Sequence, residues 1–341
     1  MENLNQLKDF LSTSRKVVII PHRKPDADAL GSCLALWLFL KKKGHQSVVI
    51  SPTDYPRFLN WMPGNPEVVI YNDGSSKPKA DQLIAEAELI ACLDFSSLNR
   101  IDQMTASVAK SQGDKLLIDH HIGKEDFARY ELWDISAAAT AELMYDFIEM
   151  MGGEDLIDLD IAACLYAGIM TDTGSFKFPN TSAKVHRTVA KLLDLGLDAS
   201  RIHRAIHDNS TFGRLQLLGF ALCNRLKVLP EYRVGYFALT EADLLQFNYE
   251  TGDTEGLVNY ALSVENIIAA ALFIEDRGHV KMSFRSIGDF SVNELAGQYF
   301  NGGGHKNAAG ARMEGSLPDI VNRFLDLLPQ YQSQLLAIKD I

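Results

Sequence analysis

The chain has 341 residues, more than one compact core usually holds, so we expect two domains. Its formal net charge of −11 disfavours a protein that grips long nucleic acid, because such proteins neutralise phosphates with a basic surface. No stretch approaches the ~18 uncharged apolar residues of a membrane span, and the polar amino terminus does not resemble a secretory signal. We therefore predict a cytoplasmic protein with no membrane partner.

The first half of the chain alternates short apolar runs with helical patterns. This alternation predicts an α/β fold with a doubly wound, mainly parallel sheet and helices on both faces. The predicted strands are 16–22, 46–51, 67–71, 91–95 and 115–121, and the clearest helix is 27–43.

From residue 136 the pattern becomes helical, and after residue 231 strands return. This change predicts a domain over 1–195, a helical linker over 196–229 and a smaller C-terminal α/β domain over 230–341. The predicted helices are 136–151, 159–171, 181–195 and 200–226, followed by strands 232–240, 267–275 and 279–287 and by helices near 254–264 and 317–328.

Three polar residues follow the first predicted strand, in the segment PHRKPDADALGS. His22, Asp26 and Asp28 lie where a strand ends and a helix begins. Open α/β sheets bind ligands at the carboxyl edge of their strands, so this location suits a binding site. Pro25 and Gly31 are compatible with the sharp turn that would let the three side chains face one point. The alternative is that Asp26 or Asp28 only caps the following helix.

Further carboxylates and histidines end two other strands and one helix. Asp94 follows an apolar strand, Asp119, His120 and His121 close the segment KLLIDHH, and Asp172 ends a helical run. Helix capping is an alternative for Asp94, and ordinary surface residues are the alternative for the two histidines. Because parallel strands share one carboxyl edge, we expect these groups to converge. Such a mixture of oxygen and nitrogen ligands suits two divalent ions, and two ions can stabilise a displacement at phosphorus.

The segments PHRKPDAD, CLDF, IDHH and MTDTG, in this order and spacing, resemble the four motifs of the DHH phosphoesterase superfamily. Near the carboxyl end, NGGGHKNAAGA resembles the GGGH signature of the C-terminal domain that accompanies many of these proteins. The match covers nearly the whole chain. Its length and motif spacing are most similar to the small oligoribonucleases (nanoRNases), which also act on 3′-phosphoadenosine 5′-phosphate (pAp).

The resemblance implies roles for the residues at matching positions. His22 and Asp26 would bind one ion, and Asp94 would bridge both. His121 would face the scissile phosphate as a donor or acid, and Asp119 would orient the histidines. The full set of implied metal ligands is His22, Asp26, Asp28, Asp94, His120 and Asp172.

The C-terminal domain contributes candidate substrate contacts. Gly302–Gly304 is predicted to form a loop, and the backbone N–H groups of Gly303 and Gly304 can approach a phosphate closely because no Cβ obstructs them. His305 would add a donor, and Arg285 could pair with a terminal phosphate. The alternatives are a flexible connection and a solvated or structural arginine. We expect the active site in the cleft between the two domains.

The predicted activity is hydrolysis of oligoribonucleotides of two to five nucleotides to nucleoside monophosphates, and of pAp to AMP. The expected cofactors are two divalent ions, with Mn²⁺ favoured over Mg²⁺ and other ions. Rival predictions are a phosphodiesterase of linear or cyclic dinucleotide messengers, an inorganic pyrophosphatase, a processive single-strand exonuclease and a non-enzymatic nucleotide sensor. Long duplex nucleic acid is not an expected partner. The oligomeric state is open, and a homodimer is one option.

Overall fold

The computed structural model describes residues 1, 3–71 and 74–338. The chain divides into two compact units, Met1–Asn209 and Ser210–Ile341. Residues 196–209 of the predicted linker belong to the first unit, and residues 210–229 belong to the second. Among the described residues, no helix is both long and apolar enough to cross a membrane.

The first unit is built on a six-stranded parallel sheet. Its strands are β1 (Lys16–Pro21), β2 (Gln46–Ser51), β3 (Val69–Ile70), β4 (Leu89–Leu93), β5 (Asp114–Asp119) and β6 (Tyr130–Trp133). Their order is β3-β2-β1-β4-β5-β6, and every pairing is parallel. The winding therefore reverses between β1 and β4, and such a reversal opens a crevice at the carboxyl ends of the two strands.

Helices cover both faces of this sheet. In β1, Val17 and Ile19 point into one apolar core, whereas Val18 and Ile20 point into another. A strand that is buried on both faces reads as a continuous apolar run, which is why the sequence pattern predicted it. The helices of this unit are α1 (Leu4–Phe10), α2 (Ala27–Lys42), α3 (Lys77–Glu86), α4 (Thr105–Lys110), α5 (Thr140–Met150), α6 (Leu159–Asp172), α7 (Ala183–Asp194) and α8 (Ala199–His207). The predicted doubly wound architecture is confirmed.

The second unit is a separate mixed sheet with its own helices. Its elements are α9 (Phe212–Phe220), β7 (Leu226–Leu229), β8 (Val234–Leu239), α10 (Glu241–Gln246), α11 (Leu257–Leu262), β9 (Ala269–Asp276), β10 (His279–Ser286), α12 (Val292–Phe300), β11 (Gly303–His305), β12 (Ala308–Glu314) and α13 (Leu317–Ala337). The strand order is β11-β12-β10-β9-β8-β7, and only β8 and β9 pair in parallel. Residues of α12 and α13 pack into one core, and residues of α9 and α11 into a second.

Two predictions about local structure are wrong. The predicted helix 200–226 is interrupted after His207, because the Thr211 side chain accepts a hydrogen bond from the N–H of Arg214 and starts a new helix. Its last residue, Leu226, begins a strand that gains backbone hydrogen bonds with β8. Gly31 does not form a turn. It lies inside α2, where an added Cβ would be 2.5 Å from the carbonyl oxygen of Cys164, so the missing side chain allows α2 and α6 to approach closely.

Candidate metal centre and substrate cradle

The candidate residues of the first unit gather at the carboxyl ends of the central strands. His22 directly follows β1, Asp94 directly follows β4, and Asp119 is the last residue of β5. Asp26 and Asp28 lie at the start of α2, which follows β1. The sheet order brings these residues to the crevice between β1 and β4, where ligands bind in folds of this type.

Two of the carboxylates are fixed by helix starts. Asp26 Oδ1 accepts hydrogen bonds from the N–H groups of Asp28 (3.0 Å) and Ala29 (3.1 Å), so it caps α2 as the alternative proposed. Asp28 instead accepts from the first N–H groups of α5, those of Thr140 (2.7 Å) and Ala141 (2.8 Å). The positive end of a helix dipole favours a carboxylate at this place. Capping therefore orients both groups and does not exclude a metal-binding role.

Asp94 lies at the middle of the cluster. Its Oδ2 is 3.3 Å from His22 Nε2, and its Oδ1 is 3.6 Å from His120 Nε2. The Thr140 hydroxyl donates to Oδ1 at 2.7 Å. Asp94 has a φ of 65°, and a non-glycine residue in this left-handed region costs about 1–2 kcal/mol. Such strain at a buried polar residue is typical of functional sites.

Hydrogen bonds determine which nitrogen of each histidine faces the cluster. His22 Nδ1 is 2.8 Å from the carbonyl oxygen of Arg23, and His120 Nδ1 is 3.1 Å from that of Ala137. Because a carbonyl can only accept, Nδ1 carries the proton in both rings. Nε2 is therefore the nitrogen directed toward the carboxylates, in the tautomer that a metal-binding histidine needs.

The cluster contains two groups of ligand atoms that share one residue. Within each group the atoms lie within 4.8 Å of one another. Asp94 is common to both, and it also belongs to a third group with Asp119 and His121. Asp172 is the last residue of α6, and its Oδ2 lies 3.4 Å from Nε2 of His120. The two groups are His22, Asp26 and Asp94, and Asp28, Asp94 and His120.

His121 and Asp119 form a separate pair beside this cluster. His121 Nδ1 donates to Asp119 Oδ1 at 2.8 Å and lies 3.5 Å from Asp94 Oδ1. Asp119 is completely buried, and its Oδ2 has no hydrogen-bond partner among the described residues. The hydrogen bond to this buried carboxylate fixes the orientation of the His121 ring.

The electrostatics of the cluster fit divalent cations. Burial raises the pKa of Asp28 well above its usual range, and the charges of Asp94 and Asp172 add to this effect. Burial opposes a charge on His120, but hydrogen bonding to Asp172 and the charge of Asp94 raise its pKa to about 11. Burial also opposes the ionisation of Asp94, yet His121 and the other histidines hold its pKa well below the usual range. In the metal-free protein, protons on the imidazoles supply the positive charge that metal ions would otherwise supply.

Thr140 is a candidate site residue that the sequence patterns did not reveal. It holds Asp28 through its backbone N–H and Asp94 through its hydroxyl. The predicted helix started at Ser136, which placed Thr140 in a helix interior, whereas α5 starts at Thr140 itself. The N-cap of α5 is Ala139, whose side chain accepts no hydrogen bond, so no local capping signal marked this start.

The glycine-rich segment of the second unit is a strand and not the predicted loop. Gly303–His305 forms β11, which pairs with β12 in an antiparallel hairpin. His305 and Arg285 both pair with Ala308, from opposite sides. Directly paired residues project from the same face of a sheet, so Arg285 and His305 share a face across a small alanine.

The next row of this sheet repeats the arrangement. Ser283 and Gly303 both pair with Gly310, which has no side chain to fill the space between them. We name the four residues Ser283, Arg285, Gly303 and His305 the substrate cradle. Sequence reasoning missed Ser283, because only the strand register shows that it lies opposite the glycine segment.

The local structure explains only one of the two glycines of this strand. Gly304 has a φ of 149°, and a Cβ there would be 2.4 Å from the carbonyl oxygen of Ala308. Gly303 has no such conflict, since the nearest atom to its added Cβ is Asn293 Oδ1 at 3.8 Å. Gly304 is therefore required by the fold, whereas the local packing does not explain a glycine at 303.

Two family models match the chain. The DHH family N-terminal domain matches residues 16–169, and the DHHA1 domain matches residues 233–334. The first model contains the candidate metal ligands from His22 to His120, and the second contains the substrate cradle. Together with a relative that is 30% identical over nearly its whole length, these matches show that the chain belongs to the DHH family.

Individual relatives extend this similarity over the whole chain. The bifunctional oligoribonuclease and PAP phosphatase NrnA of Thermus thermophilus is 30% identical over 95% of this chain and 89% of its own length. The protein of the same name from Bacillus subtilis is 27% identical over 86% of this chain and 88% of its own length. A crystal structure of an exopolyphosphatase-related protein from Bacteroides fragilis is 38% identical, covers 97% of both chains and superposes with a TM-score of 0.92.

Proposed function

We propose that the chain hydrolyses oligoribonucleotides of two to five nucleotides to nucleoside monophosphates and dephosphorylates pAp to AMP. The observation that carries this proposal is the position of Asp94, which belongs to both ligand groups at the sheet crevice. A carboxylate shared by two sites suits a pair of ions acting on one phosphate. The Thermus and Bacillus relatives are named for these two activities, which supports the choice of substrate.

The proposed cofactors are two divalent ions, with Mn²⁺ preferred. Carboxylate oxygens suit hard cations, and the two imidazole nitrogens favour Mn²⁺ over Mg²⁺. When bound, the ions supply positive charge beside the phosphate and acidify the attacking water. His22, Asp26 and Asp94 would hold one ion, and Asp28, Asp94, His120 and Asp172 the other.

His121 is the proposed acid for the leaving group. Asp119 holds its Nδ1 at 2.8 Å, so the other nitrogen, Nε2, delivers the proton to the leaving oxygen. The hydrogen bond to buried Asp119 keeps the His121 ring in one orientation. Thr140 acts as a positioning residue, since it restrains Asp28 and Asp94 together.

The substrate cradle is proposed to bind the part of the substrate away from the scissile bond. Arg285 offers charge-assisted hydrogen bonds to a phosphate, and His305 offers a further donor. The missing side chain at Gly303 would leave room for the same phosphate. The substrate cradle comprises only four residues, and the chain has a formal net charge of −11. Both features favour short substrates over long ones.

The test is hydrolysis of a 5′-labelled diribonucleotide, pAp, linear di-adenylate, pyrophosphate and a 24-nucleotide RNA, each with Mn²⁺ or with EDTA. We expect Mn²⁺-dependent turnover of the diribonucleotide and of pAp. Rapid degradation of the 24-nucleotide RNA would contradict the short-substrate proposal, and turnover of pyrophosphate alone would make the protein a pyrophosphatase. Metal and nucleotide binding without any turnover would indicate a sensor.

The cradle is tested separately with Arg285→Lys and Arg285→Ala. We expect both variants to raise KM for pAp. The increase should be larger in Arg285→Ala, because lysine keeps the charge and loses only the bidentate contact. An unchanged KM in Arg285→Ala would remove Arg285 from the substrate site.

A further inference from the structure

Trp133 is an exposed aromatic residue that is anchored to the catalytic segment. It is the last residue of the edge strand β6 and pairs in register with Asp119. Its Nε1–H donates to the backbone carbonyl of His121 at 2.7 Å. Trp133 is nevertheless 37% exposed. The indole therefore has a fixed position next to the proposed acid while part of its ring faces solvent.

Two exposed isoleucines lie near Trp133 in the chain, beside the strongly polar candidate metal centre. Ile122, which follows His121, is 45% exposed, and Ile135, two residues after Trp133, is 56% exposed. Lys124 Nζ lies 5.9 Å from the centroid of the Trp133 ring. Exposed apolar groups that are concentrated beside a polar site are typical of ligand-binding surfaces. Apolar groups of this kind do not suit the binding of a phosphate.

We propose that Trp133 is a stacking platform for the nucleobase next to the scissile phosphate. This inference rests on the proposed function, because a nucleobase is the planar, uncharged part of that substrate. The only polar atom of the indole is already hydrogen-bonded, so the ring presents a π-face and no donor. Stacking of this kind accepts every base, as an enzyme that degrades mixed sequences requires. The hydrogen bond to His121 orients the ring before the substrate arrives, which reduces the entropy lost on binding.

The test compares Trp133→Phe, which keeps an aromatic face, with Trp133→Leu, which keeps only bulk. Trp37→Phe is the matched control, because the Trp37 indole also donates to a backbone carbonyl, that of Ser47 at 3.0 Å. We expect Trp133→Leu to raise KM for pAp and a diribonucleotide by about 10-fold with kcat nearly unchanged. Trp37→Phe should stay close to the wild-type protein. Trp133→Phe should raise KM less than Trp133→Leu, because it keeps an aromatic face but loses the hydrogen bond to His121.

A substrate variant isolates the stacking contact. Diribonucleotides with an abasic residue on one or the other side of the scissile phosphate should bind the wild-type protein about 10-fold more weakly on one side. In Trp133→Leu this difference between normal and abasic substrate should disappear. A loss of kcat in Trp133→Leu with unchanged KM would overturn the inference, since Trp133 would then only support the His121 segment. An unchanged KM and kcat would overturn it as well.

Binding without hydrolysis gives an independent readout. AMP added to the metal-free protein should quench tryptophan fluorescence in the wild type and in Trp37→Phe, and the quenching should be lost in Trp133→Phe. Quenching that persists in Trp133→Phe would contradict stacking, even if Trp133→Leu does not fold. If the wild type hydrolyses no nucleotide, the proposed function fails, whereas the fluorescence result still decides whether Trp133 binds a base.

Discussion

The candidate metal centre of the first unit and the candidate substrate cradle of the second hold their side chains in different ways. In the metal centre, Asp28, Asp94 and His120 are buried, and each is fixed by hydrogen bonds to the backbone or to Thr140. In the cradle, strand register lines up half-buried side chains across small residues. Rigid, buried ligands suit the reacting atoms, and a more open surface suits recognition. Changes in the first region should therefore lower kcat, and changes in the second should raise KM.

The largest effect is expected from Asp94→Asn, which removes the charge shared by the two ligand groups while keeping the shape. We expect kcat with Mn²⁺ to fall by at least about 10³-fold, because the positive charge beside the phosphate depends on this carboxylate. Asp158→Asn is the control, since Asp158 caps α6 through an N–H of Ile161 and asparagine caps helices equally well. A variant that retains more than a tenth of wild-type kcat would exclude Asp94 as the shared ligand.

A smaller loss is expected from Thr140→Val, which has nearly the same shape but no hydroxyl. Because Asp94 would lose its 2.7 Å hydrogen bond, we expect Mn²⁺ affinity and activity to fall by about 10- to 100-fold. Thr140→Ser should restore most of both. Thr188→Val, at a buried threonine of α7, controls for the substitution itself. Equal behaviour of Thr140→Val and Thr188→Val would mean that Thr140 does not position the metal ligands.

The two glycines of β11 separate binding from folding, since Gly303 belongs to the cradle and Gly304 supports its strand. Gly303→Ala should raise KM for pAp by about 10-fold at unchanged Tm, because the added methyl group makes only an ordinary van der Waals contact with Asn293 but would obstruct a phosphate. Gly304→Ala should lower Tm by several degrees, since its Cβ collides with a backbone carbonyl. Gly219→Ala, whose Cβ meets open space, serves as the control. If Gly303→Ala has a normal KM, substrate binding does not require a glycine at position 303.

The smallest expected effect is a release of protons when the metal binds. The pKa of His120 is raised to about 11, so at pH 8 the metal-free imidazole carries a proton that a metal ligand cannot keep. Mn²⁺ binding should therefore release about one proton or more, and the apparent affinity should rise with pH. Titration calorimetry in two buffers of different ionisation enthalpy measures this release. Identical heats in both buffers would show that His120 is not a ligand.

Most of the metal centre could be predicted from sequence because its residues follow buried strands. Continuous apolar runs such as Val17–Ile20 mark strands that are buried on both faces, and the polar residue after each run must lie at the sheet edge. Convergence of His22, Asp94 and Asp119 then follows from parallel strand order. These are local patterns, which a single sequence contains.

The parts that could not be predicted depend on contacts between distant segments. The start of α5 is determined by Asp28, which lies 112 residues before Thr140 and caps that helix from outside. The glycine segment reads as a loop because its strand character comes from pairing with β12. Ser283 joins the cradle only through the register of β10 and β12. Tertiary capping and strand register leave little trace in local sequence.

The most direct test of the central claim is anomalous diffraction at the manganese edge from crystals grown with Mn²⁺. The account predicts two peaks per chain, one among His22, Asp26 and Asp94 and the other among Asp28, Asp94 and His120. A matched crystal of Asp94→Asn should lose at least one of them. No peak at these residues, or a single peak that does not involve Asp94, would contradict a two-ion centre bridged by this carboxylate.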